Sequence, residues 1–250
     1  MKKTSTILAI GSGLLLSQAQ AEIESEFHVG YNSEYIFRGV DLGDDAYEYG
    51  LDFAGSCDCG FDWSAGIWSI SPDGSDGNVD ELDIYGAISK DLGFASVAVG
   101  FTAYTYDGGA QDDAEAFIGF GAEPIAGLEA GVTLYFGTDG ILQDQILLEG
   151  SLGYSVAMSD KAALNFGMTY GYIIEDGKFT NPAGPYAVGD GQAYFTATVS
   201  ADVALSDDLT FSPYVSYVEA FDENLGAAPT NGGAGIQDGF IAGAKVSFAF

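Results

Sequence analysis

From Ile23 to the C-terminus, apolar and polar positions alternate with period two in twelve separate runs. In the first, Ile23, Phe27, Val29, Tyr31, Tyr35 and Phe37 share one parity, against Glu24, Glu26, His28, Asn32 and Glu34. In the second, Tyr47, Tyr49, Leu51 and Phe53 oppose Glu48 and Asp52; in the third, Phe61, Trp63 and Ile67 oppose Asp62 and Ser64. The fourth sets Leu82, Ile84 and Ile88 against Glu81, Asp83 and Tyr85. Seven more fall within 97–104, 113–120, 128–136, 145–156, 164–172, 192–203 and 209–217, the first of them least regular. In the last, Gly239 to Phe250, Phe240, Val246, Phe248 and Phe250 oppose Lys245 and Ser247. Period two predicts strands, because successive strand side chains point to opposite faces. Runs of about 9–13 residues are long enough for tilted strands to cross a hydrocarbon core, whereas strands of soluble proteins usually have about five or six. One apolar face and one polar or small face fit a barrel in lipid with a wet interior. The expectation is all-β: a transmembrane antiparallel up-and-down β-barrel of about 12 strands. Pro213, inside the eleventh run, lacks a ladder donor and predicts an edge or bulge.

The connections carry an independent rhythm. SCDCG, KDLG, EPIAG, SDK and SDD follow the even-numbered strands from the second to the tenth. Mostly longer segments follow the odd ones: RGVDLGDDA, SPDGSDGN, DGGAQDD, GTDGILQ, and two of nearly twenty residues ending near Gly191 and Asp238. Short turns on one rim and long loops on the other are the asymmetry of outer-membrane barrels. An even strand count also brings both termini to the short-turn rim.

At the N-terminus, Lys2 and Lys3 precede an apolar run, Ile7 to Leu16, and Ala19-Gln20-Ala21 offers small residues for cleavage. This reads as a signal peptide, residues 1–21, followed by one barrel domain, 22–250, and directs the chain to the bacterial outer membrane. No later segment approaches about 18 consecutive apolar residues, so a transmembrane helix is not expected. The C-terminal strand, with Phe240, Val246, Phe248 and terminal Phe250, resembles the signal that the barrel-assembly machinery recognises. It is expected to pair with the first strand.

Removing residues 1–21 takes away two lysines and no acid, leaving five cations against 37 acids, a net charge of −32. This excludes nucleic acid as a partner, since phosphate binding needs basic patches. By parity the predicted pore lining is Glu24, Glu26, His28, Glu48, Asp52, Asp62, Glu81, Asp83, Glu115, Glu129, Glu149 and Asp202, with Arg38 and Lys245 as its cations. A wall of one charge sign concentrates counter-ions, so an open lumen would favour cations. Expected partners are therefore outer-membrane lipid and small solutes or cations. Arg38 reads more readily as an anchor for carboxylates than as a solute ligand. Aromatics near strand ends (Tyr35, Phe37, Tyr47, Phe61, Phe94, Phe211, Tyr217) are candidates for interfacial girdles.

Cys57 and Cys59 read as a small-residue turn or a local disulfide rather than a redox pair. Acidic loops lack full calcium-loop spacing, so no metal site and no cofactor are expected. His28 is the one histidine, and no serine can be paired with it, so an enzyme is not expected. A non-conducting structural or adhesive barrel is the alternative to a passive porin.

The most specific motif is VGYNSEYIFRGVDLG, residues 29–43. Gly30, Tyr31, Ser33, Tyr35, Phe37, Arg38 and Gly39 resemble the opening strand of TorF-type porins, an outer-membrane family of largely unknown function. The resemblance implies a β-barrel that passes small solutes.

Overall fold

The structure is a computed structural model describing residues 23–73, 80–107, 112–175, 191, 193–221 and 238–250. The expected signal peptide, residues 1–21, lies outside the described residues, as do most of the loops 74–79, 108–111, 176–190 and 222–237. The strands are β1 (Glu24–Phe37), β2 (Val40–Cys57), β3 (Phe61–Asp73), β4 (Glu81–Asp91), β5 (Ser96–Tyr106) and β6 (Asp113–Ile125). They continue as β7 (Leu128–Asp139), β8 (Ile146–Ser159), β9 (Ala162–Glu175), β10 (Ala193–Ala204), β11 (Leu209–Phe221) and β12 (Gly239–Ala249). A 3₁₀ turn, Gly140–Leu142, follows β7.

Every strand pairs antiparallel with its sequence neighbours, and β1 pairs with β12, closing a 12-stranded barrel. Closure removes the unpaired edge that an open sheet would present to lipid. At the seam Phe27 faces Phe248 and His28 faces Ser247, and the Phe250 amide donates to the Ser25 carbonyl at 3.0 Å. The outer parity is apolar and exposed around the barrel, including Ile67, Ile84, Phe101, Phe120, Leu152, Phe166, Val199, Val215 and Phe240. The inner parity buries polar groups such as Ser64, Thr102, Asn165, Thr198 and Ser216. That inversion of the usual soluble pattern is what a lipid solvent outside and a polar interior select.

Pro213 does not mark an edge, because closure leaves none. It faces Ala244 on β12 in unbroken register, while the β10–β11 pairing skips Ala201 and Asp202 opposite Ser212 and Pro213. The missing proline amide accounts for the gap.

Two further expectations need correction. RGVDLGDDA is not a nine-residue loop: Arg38 and Gly39 form the whole turn, and β2 begins at Val40. Gly and Asp at 41–45 read as loop chemistry, but here they form bulges within a long strand. Pairing shifts by one residue at Tyr35/Ile36 against β2 and again at Asp44/Tyr47 against β3, with positive φ at Gly43 and Asp45. Tyr35 and Phe37 are not girdle residues. Above the bulge their rings turn inward, Tyr35 onto Trp68 and Phe37 onto Tyr104. Phe94, 83% exposed, lies in the turn between β4 and β5, and Tyr47, 62% exposed, lies within β2 opposite Ser71.

Candidate functional site

Two consecutive bulges bend the β1–β2 hairpin, since each adds a residue to one strand and increases its local twist. The tip folds across the loop-side mouth of the barrel. Arg38 and Gly39 both have positive φ, +52° and +82°, as a two-residue primed hairpin turn requires. A Cβ on Gly39 would lie 2.9 Å from Ala220 Cβ and 3.2 Å from Tyr194 Cβ, so the tip touches β10 and β11. Only glycine suits both that backbone and that approach.

From the tip, Arg38 reaches a third part of the wall. Its Nη1 and Nη2 donate to the two Glu115 carboxylate oxygens at 3.0 and 2.7 Å. The guanidinium carbon lies 4.7 Å from the ring centres of both Phe37 and Tyr135. Tyr104 donates to Glu115 Oε1 at 2.7 Å, and Tyr194 donates to Glu149 Oε2 at 2.5 Å. Burial alone would lower the Arg38 pKa, but Glu115, with Tyr104 and Tyr194, outweighs it and holds it well above its ordinary value. The arginine is therefore a fixed charge in a fork–fork pair. Tyr135, Leu147, Ile173 and Tyr194 pack beside it as a buried apolar cluster.

Elsewhere the lumen carboxylates take hydrogen bonds mainly from hydroxyls and amides. Tyr35 donates to Glu81 at 3.0 Å, Tyr85 to Asp52, and Asn32 Nδ2 to Glu48 at 3.2 Å. Ser56 donates to Asp62; Asn165 and Ser212 donate to Asp202 at 2.7 and 2.6 Å. Tyr214 in turn donates to Asn32. Neutral donors satisfy these oxygens without supplying a counter-charge.

The lumen aromatics lie along the wall because glycine stands directly across the strand. The pairs are His28/Gly50, Tyr85/Gly66, Phe117/Gly100, Tyr194/Gly171 and Tyr214/Gly243. In each, a Cβ on the glycine would come within 2.1–2.6 Å of the ring. Flat rings cover the backbone and keep bulk out of the bore.

The predicted site residues thus separate into groups. Arg38, Glu115 and Glu149 meet at the folded hairpin tip, with Glu81 and Asp83 buried on β4. Glu26, His28, Asp52 and Lys245 meet near the rim that carries the termini, Lys245 Nζ standing 4.0 Å from Glu26 Oε1. Glu48, Asp62 and Asp202 are held separately along the wall, and Glu24 and Glu129 are exposed. Phe240, Phe248 and Phe250 are exposed, and the Phe248 and Phe250 rings stack at 6.0 Å. Val246 shares their parity and is partly exposed. Cys57 and Cys59 form a disulfide in the β2–β3 turn, with Cα atoms 5.1 Å apart. Sequence reasoning missed the tyrosines Tyr35, Tyr104 and Tyr194 as carboxylate partners. For Tyr104 and Tyr194, tyrosine at an inward parity was the available signal.

A closed 12-stranded barrel with an apolar exterior and polar interior defines a porin-like fold, and solved structures agree. The NanC porin superposes with a TM-score of 0.55 at 11% identity, covering 90% of this chain and 98% of that one. An outer membrane channel from Pseudomonas putida F1 gives 0.55 at 8% identity, over 93% and 97%. The KdgM porin gives 0.51 at 10%, over 91% and 99%. No curated protein sequence matches. The chain belongs to the Gcw_chp family, bacterial proteins of unknown function, whose family model matches residues 17–163. That span contains the inward-folded hairpin and its Glu115 anchor.

Proposed function

We propose that the protein is an outer-membrane channel that passes small solutes or ions by diffusion and prefers cations. The TorF-type motif belongs with this reading, because its Phe37-Arg38-Gly39 segment forms the folded tip. The observation that carries the proposal is the lumen's unbalanced charge. Glu48, Asp52, Asp62 and Asp202 line the barrel as partly exposed acids that take hydrogen bonds from neutral groups, while Glu26 has Lys245 at 4.0 Å and the Arg38 charge is matched by Glu115. A low-dielectric wall of one sign draws in cations and repels anions. The KdgM porin is known in complex with oligogalacturonate, a carboxylated sugar chain. An acid-lined bore disfavours such a polyanion, so the solute here is of a different charge class.

The hairpin tip narrows the loop-side mouth, and the ion pair holds it there. This favours a narrow, selective conduit over a wide one. Single-channel recording of the refolded chain 22–250 in planar bilayers tests the proposal. Discrete conductance steps support it, and a silent, correctly folded barrel would favour the structural or adhesive alternative.

A further inference from the structure

Near the terminal rim, three potential metal ligands converge on the lumen side of the β1–β2 pair. Glu26 and Asp52 face each other directly across the two strands, and His28, two residues on from Glu26, faces Gly50. The His28 ring packs on Gly50, where a Cβ would stand 2.4 Å from Cε1 and 2.6 Å from Nε2. That packing fixes the ring so that Nδ1 faces the acids. Nδ1 lies 3.4 Å from Asp52 Oδ2 and 4.0 Å from Glu26 Oε1, and one ligand atom of each of the three lies within 4.8 Å of the others. His28 is 5% exposed, and its Nδ1 is buried with no hydrogen-bond partner. A buried, unsatisfied ring nitrogen is a costly feature that asks for an occupant.

We propose that Glu26, His28 and Asp52 form a lumenal site for a divalent first-row transition ion. Ligands about 2.0–2.2 Å from a zinc-sized ion stand roughly 3.3–3.5 Å apart in tetrahedral geometry, so small side-chain movements close this set around a metal. One imidazole with two carboxylates suits zinc, copper or nickel, whereas calcium and magnesium take oxygen-only shells. Tyr85 donates to Asp52 Oδ1, which leaves Oδ2 for the ion and orients the carboxylate as an outer hydrogen bond typically does. Two carboxylates directly opposite repel each other, and a shared cation relieves that repulsion. Lys245, 4.0 Å from Glu26, supplies part of this relief and would turn aside as an ion binds.

The experiment is calorimetric titration of the untagged, refolded protein with Zn²⁺, alongside Cu²⁺ electron paramagnetic resonance. His28 is the one histidine of the chain, so a nitrogen hyperfine signal that vanishes in His28→Ala identifies it. Saturable one-to-one Zn²⁺ binding is expected, weakened at least about tenfold in His28→Ala and in Glu26→Gln, with Ca²⁺ failing to compete. Circular dichroism confirms that each variant is folded, and Glu26→Gln, nearly isosteric, keeps the test open if His28→Ala does not fold. Non-saturable Zn²⁺ binding, undiminished binding in the folded variants, or displacement by Ca²⁺ would overturn the proposal. None of these readouts depends on whether the barrel conducts.

Discussion

Arg38 and Glu115, 77 residues apart in sequence, are joined by two hydrogen bonds of 3.0 and 2.7 Å inside the barrel mouth. One stands at the tip of the first hairpin and the other on β6, so a single ion pair fixes the hairpin against a distant part of the wall. Its side chains are 9% and 2% exposed. Removing one member of such a pair leaves a buried charge alone, typically a loss of about 3–5 kcal/mol. Arg38→Ala should lower the urea midpoint of the refolded barrel and raise its conductance as the tip swings free. The double variant Arg38→Gln/Glu115→Gln should recover much of the stability while keeping the higher conductance. A double-mutant cycle by equilibrium unfolding checks the first statement, and single-channel recording the second.

The wall glycines make a second prediction. At Gly243 a Cβ would stand 2.5 Å from the Tyr214 ring and 2.5 Å from the Tyr31 carbonyl oxygen. Gly243→Ala must push Tyr214 toward the bore and break its hydrogen bond to Asn32. Overpacking of this kind costs about 1–3 kcal/mol. The variant should unfold at lower urea and conduct less, whereas Gly150→Ala, where nothing lies within 4 Å, should do neither.

These two sites show what the sequence could and could not reveal. Strand number, parity and seam were legible because period two runs through most of each strand, as at Phe27 and Phe248, which share the outer face. The folded hairpin was not legible. Its cause is two bulges around Gly43 and Asp45, and acidic glycine-containing segments read equally well as loop. The Arg38–Glu115 pair depends on a bend, and parity carries no information about bends. The carboxylates were legible one by one, but their tyrosine partners come from other strands. The Glu26–His28–Asp52 group was obscured for the same reason, since it exists only once β1 and β2 are aligned.

The Cys57–Cys59 bridge closes a ring with a sequence separation of two. So short a loop removes little unfolded-state entropy, roughly 1.6 kcal/mol in the chain-entropy model. Cys57→Ser/Cys59→Ser should shift the unfolding free energy by less than about 2 kcal/mol and leave conductance unchanged. Equilibrium unfolding with and without reductant checks it.

Phe250 lies beyond the last strand with its ring stacked on Phe248 and 65% exposed, and it contributes one backbone bond to Ser25. Its side chain adds little to the folded barrel. Deleting Phe250 should therefore lower the amount assembled in the outer membrane of expressing cells. Protein refolded in detergent should conduct as the full chain does. Membrane fractionation and bilayer recording measure the two halves separately.

The central claim is that an acid-lined lumen selects for positive charge. Reversal potentials of single channels in a KCl gradient, across planar bilayers of neutral lipid, test it most directly. The account predicts a potential displaced toward the K⁺ equilibrium value, and a smaller displacement when Glu48, Asp62 and Asp202 are replaced together by their amides. A potential displaced toward the Cl⁻ value would contradict it.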